Sequence, residues 1–320
     1  MNESTSLRQS WAEALRAPLE VVPDFVHRPY VGGHEVRRFR RAPSRGDDHR
    51  TEEWLGSVVP AGNPDPDGRP QGLTTVRDQD GRMVKLKDLV EAFPEEMLGA
   101  NFADRYGAKM GFLVKIISLS APGPVQTHPS GDFAKRHLHQ DHGQAEAWVI
   151  LDVEAGNEAR APAGIGFGSG VHHDDLVAAI EQGSSEGMRS LLRRTTVAAG
   201  ETWLIRPGVP HYLGGGVLFI EIQEPSDCSV VAEHWGIGAD ESGATMGLGW
   251  ERALDAFDFP EPGEAGGGDV ERAHQRPSWV RERGQNQEDR LIDSAAEAPF
   301  DVRGIDVCLL YTSPSPRDFS

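Results

Sequence analysis

Cysteine is nearly absent from this 320-residue chain. Only Cys228 and Cys308 occur, which excludes a disulfide framework and a thiolate metal site, since both need cysteine pairs. Positive charge is also scarce, with 32 lysines and arginines against 50 aspartates and glutamates and a net charge of -18. An acidic surface of this kind argues against nucleic acid or an anionic membrane as the main partner. No apolar run approaches the roughly 18 residues a membrane span needs, and MNESTSLRQSWAEALR lacks the apolar core of a signal peptide. The expectation is a cytoplasmic protein. No internal repeat of solenoid period is present. What remains is 38% hydrophobic content, enough to bury a real core in one large domain or two medium ones.

The chain is organised around residues 123 to 223, where potential metal ligands arrive on predicted short strands. Gln126 and His128 lie two apart in GPVQTHPSGD, so a strand with its period of two presents both side chains on one face. Glu146 opens the apolar run AEAWVIL, and His211 follows the Pro-Gly turn of LIRPGVPHYL. Two imidazoles, a carboxylate and an amide oxygen suit zinc, one ion per chain, and Mn2+ or Fe2+ are chemically acceptable.

Trp11, Leu15 and Leu19, spaced by four, predict an amphipathic helix within residues 1 to 20. VVPDFVHRPYVGGHEVRRFR reads as a hairpin turning at Gly32-Gly33, followed by a basic loop to Arg50 and a strand in TEEWLGSVVPAG. Glu52 and Glu53 are neighbours on that strand and point opposite ways, so they are not an acid/base pair. Helices are predicted over residues 82 to 93 and 94 to 98, then an apolar strand over 111 to 119. DFAKRHLHQDHG reads as a helical turn and loop before a strand over 145 to 153. Gly164 to Gly170 lacks the lysine-serine ending of a phosphate-binding loop and is expected to be a flexible loop near a cavity mouth. A helix follows from near Asp174, with Gly183 past its end, then a second over 188 to 194, and then the β-rich stretch TTVAAGETWLIRPGVPHYLGGGVLFIEIQEPSD. Many short strands with glycine turns predict a mainly β sandwich or barrel with a helical insertion at about 171 to 194. GLGWERALDAF starts a helix, PEPGEAGGGD reads as a linker, and residues 270 to 307 hold too little apolar content to form a domain alone. The expected organisation is 1–237 as the main domain, 238–307 as a linker and a partial, truncated C-terminal β domain, and 308–320 as a tail. CLLYTSPSPRD in that tail resembles a translated sequencing adapter, which implies that the natural protein was cut near Val307.

Gly123, His128 and Glu146, followed by G-x6-P-G-x2-H from Gly200 to His211, resemble the two motifs of a cupin jelly-roll barrel. PYVGG, EEWLGS, FLVKII, VQTHP, AEAW, RPGVPH and EIQEPSD, in this order over residues 25 to 237, are similar to the type I mannose-6-phosphate isomerase family. That resemblance implies a cupin fold and a zinc-dependent interconversion of aldose and ketose, with a small sugar or sugar phosphate as the small-molecule partner. It also implies Gln126, His128, Glu146 and His211 as zinc ligands. Two positions depart from the family: Gln144 stands where a lysine is usual, and Val231 where an arginine is common. EPSDCSVVAEHW is similar to a variant branch. An enediol-like intermediate calls for a nearby cation, so these departures bear on the chemistry.

Asp227 follows the last barrel strand, where the family uses its counterpart around the reacting sugar; turn formation is its plainer role. Lys135, in DFAKRH, matches a family lysine and is a candidate substrate contact. Lys115 lies in an apolar strand and must snorkel or find a partner; facing a cavity, it would reach a sugar hydroxyl. Arg206 is a candidate for the missing positive charge, although alternation from Trp203 leaves its direction open. His137, His139, His142, Glu233 and His234 are further acid/base candidates. Two other readings stand beside the isomerase: a sugar-binding or regulatory metal cupin without turnover, and a metal cupin with another substrate, such as an epimerase or iron oxygenase.

Overall fold

The computed structural model describes residues 3–43, 46–154, 160–260, 268–283, 286–293 and 299–306. The predicted linker falls mostly, and the adapter-like tail entirely, outside these residues.

Two antiparallel sheets face each other. The larger has seven strands in the order His274–Gln275, Thr202–Ile205, Glu146–Val153, Val217–Gln223, Leu113–Leu119, Phe25–Gly32 and Asp48–Gly56. The smaller has five, in the order Leu192–Ala198, Arg160–Phe167, His211–Leu213, Gln126–Thr127 and Val230–Val231. Alternation along each strand separates the faces. Ile117, Leu119, Trp148, Ile150, Val217 and Phe219 turn inward from the larger sheet and meet Ala161, Ala163, Ile165, Val197 and Leu213 of the smaller one. This is the sandwich or barrel expected from the glycine-punctuated strands, in the jelly-roll form that the cupin resemblance implies.

The outer faces are covered too. Val36, on the helix His34–Phe39, packs against Ile116 and Leu218, the outward neighbours of the core residues. Ile292 and Phe300 of the C-terminal segment pack on Ala147 and Leu204. That segment carries a three-stranded antiparallel sheet, Ser278–Arg283, Asn286–Ile292 and Val302–Asp306. The helical insertion, His173–Gln182 and Ser185–Ser190, lays Leu176 and Met188 on the back of the smaller sheet against Phe167, Leu192 and Tyr212. Trp11 and the helix Leu86–Ala92 build a separate N-terminal core with Val76, Phe93 and Met110.

Several local expectations are corrected. Gly32-Gly33 does not turn a hairpin: Gly33, at φ 92°, starts the helix His34–Phe39, and Phe25–Gly32 pairs with Asp48–Gly56 beyond it. Residues 83–85 form a strand rather than the start of a helix, and an additional helix runs Ala100–Tyr106. The second insertion helix ends at Ser190, and residues from Leu192 onward are strand. The stretch from Gly164 to Phe167 is not a loop either, because Arg160–Phe167 is a strand of the smaller sheet, buried from Ala163 to Phe167. Glycine is needed at 164 because a Cβ there would stand 2.3 Å from the Tyr212 ring.

Gly32 is the tightest of these sites. An added Cβ would lie 2.0 Å from the Ser118 carbonyl oxygen on the neighbouring strand. The Gly32→Ala protein is therefore expected to lose about 1–3 kcal/mol of stability through forced strand separation, read as a lower urea midpoint at unchanged slope.

Candidate metal centre and active-site cavity

The barrel interior opens into a cavity of about 680 Å³. Register brings its polar side chains together. His211 pairs with Gln126, which pairs on its other side with Val231. Glu146 lies between Ile205 and Gln223, and Glu221 between Lys115 and Trp148. Lys115, Glu146 and Glu221 thus continue the inward rows of Ile117, Trp148 and Phe219, polar ends on otherwise apolar rows.

At the floor, ligand atoms of His128, Glu146 and His211 all lie within 4.8 Å of one another. Each of the three residues is 2% exposed. The Glu146 carboxylate stands 3.0 Å from His128 Nε2 and 3.3 Å from His211 Nε2. The second ring nitrogens are tied back: His128 Nδ1 donates to the Cys228 carbonyl at 2.8 Å and His211 Nδ1 to the Val209 carbonyl at 2.9 Å. With the proton on Nδ1, each Nε2 keeps a lone pair aimed at the shared point, as a metal-binding imidazole requires. Trp148 Nε1 donates to Glu146 Oε1 at 3.0 Å and fixes the carboxylate. The Gln126 amide is 3.5 Å from His211 Nε2; exchanging its nitrogen and oxygen would turn an acceptor to the same point. The donor set therefore fits a divalent ion.

The two rings titrate differently: burial alone would lower the His128 imidazolium, but the Glu146 carboxylate beside it outweighs burial and raises its pKa. Burial pushes the His211 imidazolium down to about 4, so the ring is neutral at ordinary pH. Burial alone would raise the Glu146 carboxyl, but the His128 ring beside it and His211 hold it below the usual range, ionised.

Beside the floor, Lys115 Nζ lies 2.9 Å from Glu221 and 4.9 Å from the centre of the Trp54 ring. Both charged residues are buried. Burial, followed by Glu146 and Glu52, pushes the Glu221 carboxyl up to about 7 against the pull of Lys115. Arg28 grips Asp227 through two nitrogens, at 2.7 and 3.0 Å, and reaches Glu52 at 3.1 Å. Asp227 also accepts the Gly62 N–H at 2.7 Å. Tyr30 donates to Glu52. Glu53, pointing the other way, pairs with Arg40 at 2.9 Å. The Lys115–Glu221 pair allows a double-mutant cycle: Lys115→Met and Glu221→Gln should each destabilise, and the double variant should lose less than their sum by about 1–3 kcal/mol in chemical unfolding.

Of the residues expected to act on substrate, Lys115 and Asp227 line the cavity; Lys135 and Arg206 do not. Lys135 is exposed on a helical turn, and Arg206 faces away from the cavity, 3.3 Å from Asp269. His137, His139, His142, Glu233 and His234 also lie off the cavity lining. Glu233 is buried as the partner of Arg189 at 2.8 Å and of the Val125 N–H at 3.1 Å, a packing role. Gln144 and Val231 both line the cavity. Gln144 Oε1 accepts the Cys228 N–H at 3.0 Å, which orients its amide nitrogen toward Glu146 Oε2 at 3.4 Å.

Sequence reasoning missed Arg28, Glu52 and Glu221 as cavity residues. Glu221 had a signal, since it stands two residues from Phe219 and four from Val217 on an apolar strand. Arg28 had none, because its partner Asp227 lies 199 positions away.

No protein-family model matches the chain. Mannose-6-phosphate isomerase ManA of Bacillus subtilis is 30% identical over 57% of this chain and 56% of its own length. The mannose-6-phosphate isomerase of Streptococcus mutans is 24% identical over 61% of this chain and 57% of its own. The chain spans about half the length of the curated relatives it matches. The crystal structure of mannose 6-phosphate isomerase from Bacillus subtilis superposes with a TM-score of 0.63 at 22% identity, covering 87% of this chain and 77% of that one. Its cupin fold is the fold described above. The ordered motifs and these relatives make the chain similar to mannose-6-phosphate isomerases over about half their length, and it shares their cupin fold.

Proposed function

We propose that this protein is a zinc-dependent aldose–ketose isomerase that converts mannose 6-phosphate to fructose 6-phosphate, or a related aldose to its ketose, in the cytoplasm. The observation that carries this reading is the convergence of two imidazole Nε2 lone pairs and one carboxylate at the floor of a sugar-sized cavity, with a buried carboxyl–lysine pair beside them. Gln126, His128, Glu146 and His211 would hold the ion, which supplies Lewis-acid polarisation of the sugar's carbonyl and adjacent hydroxyl oxygens. Glu221 is the group assigned to proton transfer. A buried carboxyl with its pKa raised toward neutrality takes a proton from one carbon and returns it to the next without a large energetic mismatch. Lys115 holds that carboxyl in place and presents a cationic N–H to an oxygen that gains charge. The Arg28–Asp227 clasp ties the loop between Val217–Gln223 and Val230–Val231 to the strand Phe25–Gly32, which holds that part of the cavity wall in place.

The test is ketose formation by the zinc-loaded protein from mannose 6-phosphate and from free aldoses, run in deuterium oxide. The reading expects ketose from at least one sugar and solvent-exchangeable hydrogen at the reacting carbons. No ketose from any of them, at stoichiometric zinc, would end it. A second reading, a sugar-binding cupin without turnover, draws on Gln144, whose neutral amide lies against Glu146 where a cation would help stabilise an oxyanion. Tight sugar binding with no exchange at carbon would favour it.

A further inference from the structure

The charges lining the cavity bear on which sugar it takes. Its cations are Arg28 and Lys115, and its carboxylates are Glu52, Glu146, Glu221 and Asp227. Both cations are committed, Arg28 to Asp227 and Glu52 and Lys115 to Glu221. A divalent ion at the floor would bring the ionised set to neutrality and leave no surplus of positive charge. The rim is different in kind. Leu138, Ile237, Ala239, Ser242, Met246 and Gly247 line the cavity where it meets solvent, and all six are uncharged. Next to the rim residues in sequence, Asp240 and Glu241 are exposed, and so are Lys135 and Arg136 ahead of Leu138, so the charges flanking the rim are mixed.

A phosphate monoester carries about -1.5 to -2 charges at neutral pH and needs charge-assisted donors once it is partly desolvated. Among the described residues, the lining of this cavity offers it two cations already held by carboxylates and a rim whose own residues are uncharged. A free sugar, by contrast, presents hydroxyls that the carboxylates, Asn63, Gln140 and Ser229 of the lining accept from or donate to without charge mismatch.

We propose that the cavity takes an unphosphorylated aldose, one whose end remote from the metal site carries hydroxyls only. This rests on the isomerase reading and narrows its substrate class. The polar lining at the floor holds the reacting end, and the neutral rim surrounds the far end.

The experiment measures kcat/KM of the zinc-loaded full chain for D-mannose and for mannose 6-phosphate, with calorimetric binding of mannitol and mannitol 1-phosphate as non-isomerisable probes. The expected result is a preference of at least about 10-fold for the free sugar in turnover, with the neutral polyol also binding more tightly. Equal or better turnover of mannose 6-phosphate would overturn the substrate class and leave the isomerase reading intact. If neither sugar turns over, the isomerase reading fails by itself and binding decides the substrate class. Tighter mannitol supports an uncharged ligand; tighter or equal mannitol 1-phosphate, or no binding of either, overturns it.

Discussion

Replacing Glu146 with glutamine is expected to lower kcat/KM by about 10³-fold or more and to strip the protein of stoichiometric divalent metal. Losing an outer partner of a ligand already costs roughly 10–100-fold in metal affinity, and loss of the only carboxylate in the set should exceed that. Polarisation of the sugar oxygens by the ion is worth several kcal/mol, about 1.4 kcal/mol for each factor of ten in rate. The fold should survive the change. Glu146 sits between Ile205 and Gln223 with its backbone paired on both sides, and glutamine keeps an acceptor for Trp148 Nε1. The comparison is therefore made at equal circular dichroism, with metal content and turnover measured on the same sample. Full metal occupancy with normal turnover would remove Glu146 from the centre.

The largest loss of stability is expected from Arg28→Met. It leaves the Asp227 and Glu52 carboxylates without their guanidinium partner in a site where the Arg28 side chain is 11% exposed and those of Asp227 and Glu52 are 9% and 2% exposed. Breaking a buried pair from one side costs about 3–5 kcal/mol. The sign of the pH dependence follows from Asp227. Burial alone would raise its carboxyl, but Arg28, Lys115 and the Gly62 N–H hold it well below the usual range. A folded-state pKa below the unfolded value of about 3.9 stabilises the protein above that pH, and the contribution is lost as pH falls through the folded value. Wild-type urea midpoints should therefore drop on acidification below about pH 4. In Asp227→Asn that component should be missing, with lower stability at neutral pH. An unchanged acid slope in Asp227→Asn would show that the clasp contributes nothing.

Local pattern carried much of the architecture and stopped at particular places. The inward rows of Leu113–Leu119, Glu146–Val153 and Val217–Gln223 were legible because apolar alternation has a period of two, and strands of that kind joined by glycine turns gave a sandwich or barrel, which the resemblance to cupin motifs narrowed to a jelly roll. Gln126, His128, Glu146 and His211 were found by spacing and motif, and the structure brings them to one end of the barrel interior. Glycine misled twice. At Gly32-Gly33 and again from Gly164 it reads as a turn or loop, whereas its function is close approach: of a neighbouring carbonyl at Gly32 and of the Tyr212 ring at Gly164. Lys135 was a candidate by its match to a family lysine and Arg206 by its place on the strand leading to His211, and neither ground carries information about which way a side chain points. Arg28 and Asp227 meet only because the strand Phe25–Gly32 and the loop after Val217–Gln223 share a wall, a fact with no local trace in the chain.

The most direct measurement is X-ray absorption at the zinc edge of the protein reconstituted with one equivalent of zinc. The account predicts a shell of nitrogen and oxygen ligands near 2.0–2.1 Å, with the outer-shell scattering of two imidazoles, from His128 and His211, and no sulfur despite Cys228 in the cavity wall. A shell of oxygen alone, or one containing sulfur, would contradict it.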